Sequence, residues 1–435
     1  MKFINIISSE NNHTYFGNKP QVVTCRNYSA DNKTNSIMKL HYIFLVFLFV
    51  LACKEPLNPI GDEQITIFED ANIYFDMGFK NDSIQLTDSI FRLDAGRVLL
   101  KKVTLPNYTK QPKVSVKMTL TSNGDPWDKS GSLFVVPASS DLNLLDFESD
   151  NLKKEQFATG FPGIISEVID NKSYQPNIEL LRFMTPFGVG FFNDNERVAT
   201  LKPVYIPKWE ENVKWEQDIT QLLPVLENEV YIGVFIDTWT KEGYNVSVSL
   251  DFEESDVPNH LKNEQGVIPV LNTSKYSGAQ RFYDGFHKGD LQVNLPVNRT
   301  LKNAKLYYIT TGHGGHAEGD EFTEKENIIK FNNNIVKQFV PWRDDCASFR
   351  RFNPSSGVWT EKVTWKGKEI EERIASSDYS RSNWCPGSDV TPEIIELGNI
   401  ATGDHVFTFS IPEAQAIEMD KINYWTVSAY IVYDK

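Results

Sequence analysis

Three signatures of common catalytic machinery are missing from this chain: a G-x-S-x-G nucleophile elbow, a phosphate-binding P-loop and a G-x-G-x-x-G dinucleotide fingerprint. Their absence argues against an α/β-hydrolase, a P-loop nucleotidase and a nicotinamide enzyme of the usual kinds. Positive charge is also in short supply. With 44 Lys and Arg against 58 Asp and Glu, the formal net charge is −14, the wrong sign for a nucleic-acid partner. Cysteines number four, and no internal repeat is present. Aromatic residues, by contrast, reach 12%, with 9 Trp and 17 Tyr. Such rings suit carbohydrate binding, although a β-rich core consumes them too. A hydrophobic fraction of 40% suffices for real cores, and 435 residues allow about two or three domains.

The N-terminal region reads as an address. Met38-Lys39-Leu40-His41 is a basic start, and Tyr42 to Ala52 is an 11-residue apolar run, too short to span a bilayer as a mature helix. Val50-Leu51-Ala52-Cys53 resembles a bacterial lipobox, so residues 38–53 are expected to be a lipoprotein signal peptide with Cys53 lipidated; a plain secretory peptide is the other reading. Residues 1–37 are polar and Asn-rich and look like a spurious upstream extension, while residues 54–64, with Pro56, Pro59 and Gly61, read as a tether. The expectation is an exported lipoprotein of the cell envelope, on the outer membrane and facing the periplasm or the outside, touching the membrane only through its lipid. Cys25 falls in the discarded leader. Cys346 and Cys385 are left over, and an oxidising compartment favours their pairing.

From there the pattern is almost entirely β. Residues 113–121, 245–252 and 405–410 alternate polar and apolar with period two, which argues for half-buried antiparallel strands. Short strands between turn clusters suggest sandwiches or jelly rolls. One helical candidate, Asp218 to Glu227, is limited to a turn or two by Pro224. The polar stretch Glu253 to Gly266, with Pro258, is the best boundary, giving domains at 65–258 and 264–435.

The most suggestive segment runs from Gly312 to Phe322, a Gly-, His- and acid-rich connection between strand-like runs at 304–311 and 327–332. Loops of this kind, held by rigid strands, are where sheet proteins keep their chemistry. Two acid–tryptophan pairs join it: Trp127-Asp128 after Gly124-Asp125-Pro126, and Asp237-Thr238-Trp239 at the end of the apolar run from Val230. Turn aspartates usually bond their own backbone and tryptophans are usually core. A carboxyl against an indole, however, loses hydration and gains a useful acid/base pKa. His313, His316, Glu318, Asp320 and Glu321 have metal-ligand chemistry, but their spacing defines no compact geometry, so a hydrogen-bonding loop is the preferred reading and no metal is expected. Arg381, near the tight turn Trp384-Cys385-Pro386-Gly387, suits a carboxylate or carbonyl partner, as well as a plain surface ion pair. Paired carboxylates serve both glycoside hydrolysis and hydrolysis of a sugar-linked amide.

Taken in order, these segments resemble the bacterial peptide:N-glycosidase F family over about residues 110–435. Trp127-Asp128 is similar to that family's Glu-Trp-Asp-Arg turn, Arg182 to Phe187 to its Arg-Phe-Ile-Thr-Pro-Tyr, and Asp237-Thr238-Trp239, with Lys241 and Gly243, to its Glu-Thr-Trp segment. Gly312-His313 with Glu321 is similar to its Gly-His…Glu loop, Asn332-Asn333 to the hairpin turn after it, and Arg381 to Gly387 to its Arg-x-x-Trp-Cys-Pro-Gly. The resemblance implies an all-β fold of two side-by-side, eight-stranded antiparallel jelly rolls. It implies a metal-independent, cofactor-free hydrolase that cleaves the amide between asparagine and the innermost N-acetylglucosamine of N-glycosylated proteins or glycopeptides. By the same resemblance Asp128 is the principal acid/base, and Glu321, helped by Arg381, orients water or a substrate group. Asp237 and Trp239 hold the chitobiose core, and Trp127, Lys129 and His313 complete the substrate contacts. A monomer is expected. Two departures stand out: Asp237 replaces the family's Glu and is one methylene shorter, and Lys129 replaces an Arg and loses its planar fork. They leave open a non-catalytic glycan-binding lipoprotein on the same fold.

Overall fold

The computed structural model describes residues 62–435 apart from 80–84, 88, 107, 109–110, 149–151, 153–155, 162, 254–263, 278–281, 315–317 and 420. The upstream extension, the signal peptide with Cys53, Cys25, most of the tether, the segment around Pro258 and the His316 position lie outside the described residues.

Alternation is the source of the first sandwich. In Lys113–Ser122, Val114, Val116, Met118 and Leu120 are all buried, each facing inward at every second position. The register to Tyr244–Glu253 sets Val116 opposite Leu250, Met118 opposite Val248 and Leu120 opposite Val246. Glu63–Ile73 and Val213–Asp218 flank these two and complete a four-stranded sheet. The facing sheet is built round Glu229–Ile236, which pairs Val98–Thr104 on one side and Ser130–Val136 on the other, with Ile178–Met184 beyond. Ile178–Met184 is buried along its whole length because both of its faces are covered. One core cluster fills the space between the sheets.

The second sandwich packs Gln265–Asn272, Tyr424–Asp434, Leu301–His313 and Glu393–Ile400 against Leu291–Val297, Gly403–Ser410, Asn327–Phe331 and Asn334–Phe339. Asn332 and Asn333 turn the last hairpin with φ of 49° and 66°, the left-handed conformations that asparagine tolerates. All paired strands among the described residues run antiparallel, and their non-consecutive order is jelly-roll connectivity. The expected all-β, two-jelly-roll architecture is what the chain adopts.

The sandwiches are interlocked. Asp389–Val390, from the C-terminal half of the chain, pairs with Ile178–Met184 as an edge strand of the first sandwich. The indole of Trp215 donates to the carbonyl of Gly387 at 3.0 Å, and Arg182 reaches the carbonyl of Thr426 at 2.6 Å. Tyr430 and Val432, from the second sandwich, are buried in the first one's core. The helical candidate at Asp218 to Glu227, limited by Pro224 to a turn or two, is a short 3-10 helix over Thr220–Val225, with Pro224 inside it. The proline has no N–H to give, so an α-helical ladder cannot extend through it.

Candidate active site

Two acidic turns are brought together by a third acid that is itself sealed off. Asp125 is fully buried: one oxygen accepts from the backbone N–H of Trp127 at 3.0 Å, the other from the hydroxyl of Thr238 at 2.7 Å. This lashes the Trp127-Asp128 turn to the Asp237-Thr238-Trp239 turn. The strand Ser130–Val136 continues from the first turn, and its Ser130 carbonyl accepts from the backbone N–H of Asp237 at 2.9 Å. Thr185 exchanges two 2.8 Å hydrogen bonds with Lys129 on the other side. Asp128 and Asp237 therefore sit at one end of the first sandwich on rigid strand termini.

The facing wall comes from the second sandwich. Here the expected eleven-residue loop is shorter than the sequence suggested, because Gly312 and His313 complete the strand Leu301–His313, paired opposite Trp425 and Tyr424. Glycine is needed at both ends of this turn into the loop. A side chain at Gly312 would meet the carbonyl of Asp320 and the ring of Trp425 at 2.8 Å. Gly314 has φ of 82°, and a Cβ there would lie 1.4 Å from the carbonyl oxygen of Ile422. The loop closes on itself at Glu321, whose backbone N–H donates to the carbonyl of Gly314, and whose carboxylate accepts from the N–H of Gly314, each at 3.2 Å. Ser382 joins on from the next segment, donating its N–H to the carbonyl of Glu321 at 2.9 Å. Trp384 donates its indole N–H to the carbonyl of Gly312 at 2.8 Å. The Cys346–Cys385 disulfide fixes that segment from behind.

Arg381 joins the walls. Its guanidinium is buried, hydrogen-bonded to Glu321, 3.6 Å from the Asp128 carboxylate and 2.8 Å from the carbonyl of Ser376. Phe322 and Trp384 sandwich its planar head, with ring centroids 4.8 and 4.6 Å away. The Asp128 side chain remains 18% exposed and that of Glu321 15%, so both are open to the cleft. Loss of hydration raises the pKa of Asp128, against the pull of Arg381 and Lys129. The same burial raises Glu321 to about 7, with Arg381 opposing and the Asp128 charge adding to the rise. Two carboxyls leaning on one guanidinium titrate as a pair, with burial favouring the protonated form of each and Arg381 opposing it.

A ladder of rings floors the cleft. Trp239 packs against Phe282 at 6.1 Å, Phe282 stacks on Tyr424 at 4.3 Å, Tyr424 on His313 at 4.9 Å, and His313 lies 5.4 Å from Trp384. His313 is buried, its Nε2 is 2.8 Å from the hydroxyl of Thr311, and burial lowers its pKa to about 3, which keeps the ring neutral. Asp237 is 2.6 Å from the buried guanidinium of Arg97, which Asp94 grips from the other side; burial still raises the Asp237 carboxyl to about 6. Lys129 places its ammonium 5.1 Å from the Trp239 ring centroid. Trp127 is 56% exposed and is not among the residues that line the cleft.

Asp128, Lys129, Asp237, Trp239, His313 and Glu321 all line this one cleft, with Arg381 buried against it. Asp320, a candidate metal ligand, instead braces the loop, accepting from the Trp425 indole and the Gln415 N–H at 3.0 Å each. Phe282, Tyr424 and the Asp237 partner Arg97 escaped the sequence reading. Tyr424 reaches the site only through its pairing opposite His313, which leaves no local mark. Arg97 follows the turn Asp94-Ala95-Gly96, whose three positive φ values of 51°, 56° and 101° make it legible only as a turn.

Two interlocked β-sandwiches with a carboxylate–arginine–carboxylate cleft between them define a two-jelly-roll class of protein with an acid-lined, aromatic-floored cleft. Family comparison narrows this. The N-terminal model of peptide-N-glycosidase F matches residues 64–252 and its C-terminal model residues 281–432. The chain belongs to the peptide-N-glycosidase F family. Peptide-N(4)-(N-acetyl-beta-D-glucosaminyl)asparagine amidase F of Elizabethkingia miricola is 24% identical over 249 residues, 56% of this chain and 59% of that protein. The structure of PNGF-II is 33% identical with a TM-score of 0.71, covering 86% of this chain and 65% of that one. PNGase F, a glycosylasparaginase from Flavobacterium meningosepticum, shares the fold with a TM-score of 0.52 at 16% identity, covering 86% of this chain and 96% of that one. The chain thus spans less than two thirds of the length of the first two relatives.

Proposed function

We propose that the protein hydrolyses the amide bond between asparagine and the innermost N-acetylglucosamine of N-glycosylated proteins. Water adds to the side-chain carbonyl carbon, the C–N bond breaks, and the peptide keeps aspartate while the sugar leaves as a glycosylamine. The observation that carries this reading is Arg381 held between Glu321 and Asp128 at the mouth of an aromatic-floored cleft. Asp128, its pKa raised by burial, accepts a proton from the attacking water and returns one to the leaving nitrogen. Glu321 and Arg381 orient the water and steady charge on the carbonyl oxygen. Asp237 and Trp239 receive the chitobiose core, the first by hydrogen bonds and the second by stacking, with Lys129 and His313 completing the walls.

A second reading, glycan binding without turnover, is favoured by one feature. The shortened carboxylate of Asp237 is already drawn to Arg97 at 2.6 Å. Mass spectrometry of an N-glycopeptide incubated with the protein in a chelator separates the two. Loss of the whole glycan with asparagine converted to aspartate is the expected result. A peptide retaining one N-acetylglucosamine would mean a glycosidase, and an unchanged peptide across several glycan types would leave the binding protein.

We infer further that the chain is exported and tethered through a lipid on Cys53 and works as a monomer. The buried Cys346–Cys385 disulfide suits an oxidising compartment.

A further inference from the structure

Among the described residues two hairpins stand outside the sandwiches, a short one over Glu167–Ile169 and Lys172–Tyr174 and a longer one. Val358–Trp365 and Lys368–Ala375 form a two-stranded hairpin of their own, turned by Lys366 and Gly367 at φ of 50° and 75°. Two-stranded hairpins are marginal in isolation, and natural sequences normally bury their apolar face. Here that face is open. Strand alternation and register put Trp359, Glu361, Val363 and Trp365 on one side, together with Lys368, Ile370, Glu372 and Ile374 of the partner strand. Trp359 is 46% exposed, Trp365 59% and Ile370 40%.

This face is linked to the cleft's arginine through a short run of ring contacts. Trp359 stacks on Tyr379 with ring centroids 5.6 Å apart and donates its indole N–H to the Tyr379 hydroxyl at 2.6 Å. Tyr379 meets Phe322 edge-on at 6.5 Å, and Phe322 lies 4.8 Å from the Arg381 guanidinium. Three ring contacts therefore lead from the Asp128–Arg381–Glu321 cluster to the hairpin. The Tyr379 hydroxyl in turn donates to Glu361, which ties the path to a carboxylate of the hairpin. Lys366 covers one side of Trp365, its ammonium 4.3 Å from the ring centroid, and the other side faces solvent.

We propose that this hairpin face docks the outer, neutral arms of the glycan whose linkage occupies the cleft, an assignment that rests on the reading of the cleft as a glycan site. Flat indoles suit the C–H faces of sugar rings. Interspersed carboxylates accept hydrogen bonds from vicinal hydroxyls, a group that sugars carry densely and polypeptides do not. Glu361 and Glu372 are balanced by Lys368 opposite Trp365 and by Lys366 over its ring, so the face has no single-sign charge to draw a charged arm and suits uncharged ones.

The test compares the wild-type protein with W359A and W365A on two glycopeptides of one peptide sequence, the first bearing only chitobiose, the second a large oligomannose glycan. Calorimetric titration with free oligomannose accompanies it. The variants are expected to raise KM for the oligomannose glycopeptide about three- to tenfold with kcat unchanged, to leave the chitobiose glycopeptide unaffected, and to weaken free oligomannose by a similar factor. Equal oligomannose affinity in wild type and variants, including none in either, would overturn the proposal. So would an equal KM rise on both glycopeptides. W365A, whose side chain contacts no core cluster, guards against misfolding, and unfolding midpoints are recorded for both variants. If the wild type turns over neither glycopeptide, the amidase reading fails, and the oligomannose titration still decides the hairpin.

Discussion

At the scale of single residues, one buried arginine is shared by two carboxyls. Arg381 opposes the rise that burial imposes on both Asp128 and Glu321. A positive neighbour favours the ionised form, so removing it lets both pKa values climb. The R381M variant is therefore expected to shift the acid limb of kcat/KM to higher pH by roughly one to three units and to lower its plateau at least 100-fold. A limb that stays in place or moves to lower pH would show that the arginine does not govern this pair. Much of this cluster was legible in the sequence, since Trp127-Asp128, Glu321 and Arg381 each sit in a short, turn-bound motif. Arg97 and Tyr424 were not legible. Their places in the site are set by a distant turn and by antiparallel pairing, which sequence periodicity does not encode.

At the scale of elements, the segment from Cys346 to Cys385 carries the arginine, the exposed hairpin and Trp384 inside one disulfide-closed loop with a sequence separation of 39. Chain-entropy reasoning assigns such a crosslink about 4 kcal/mol. The double variant C346S/C385S is expected to unfold at a distinctly lower temperature, and to lose activity before it loses secondary structure, because Arg381 depends on that loop for its direction. An unchanged midpoint, or a variant as active as wild type up to global unfolding, would refute this role. Strands were the most readable elements: the alternating runs at 113–121, 245–252 and 405–410 all lie in strands. In the sequence Gly312 and His313 look like loop because they open a Gly-, His- and acid-rich run. In the fold their strand runs on, since the neighbouring backbone and Trp425 leave no room for a side chain at Gly312.

At the scale of the whole molecule, the two sandwiches share more than a surface. One contributes an edge strand, Asp389–Val390, to the other, and Arg182 from the first donates to Thr311 and Thr426 of the second. Such an interface is expected to make residues 62–435 unfold in a single cooperative step, with tryptophan fluorescence and far-ultraviolet circular dichroism giving coincident transitions. Two separated transitions would mean that the halves are independent. This interlock was hidden from the sequence, because two residues after a Pro-Gly turn carry no periodic signal.

In the proposed reaction, water activated at Asp128 splits the asparagine–sugar amide. Incubating an N-glycopeptide with the protein in heavy-oxygen water, and weighing the peptide, tests it directly. The wild type is expected to yield an aspartyl peptide carrying one heavy oxygen. D128N, in which Arg381 keeps Glu321 and the Ser376 carbonyl as partners, is expected to stay folded and yield none. Near-normal release by a folded D128N, or an intact asparagine in the wild-type product, would contradict the account.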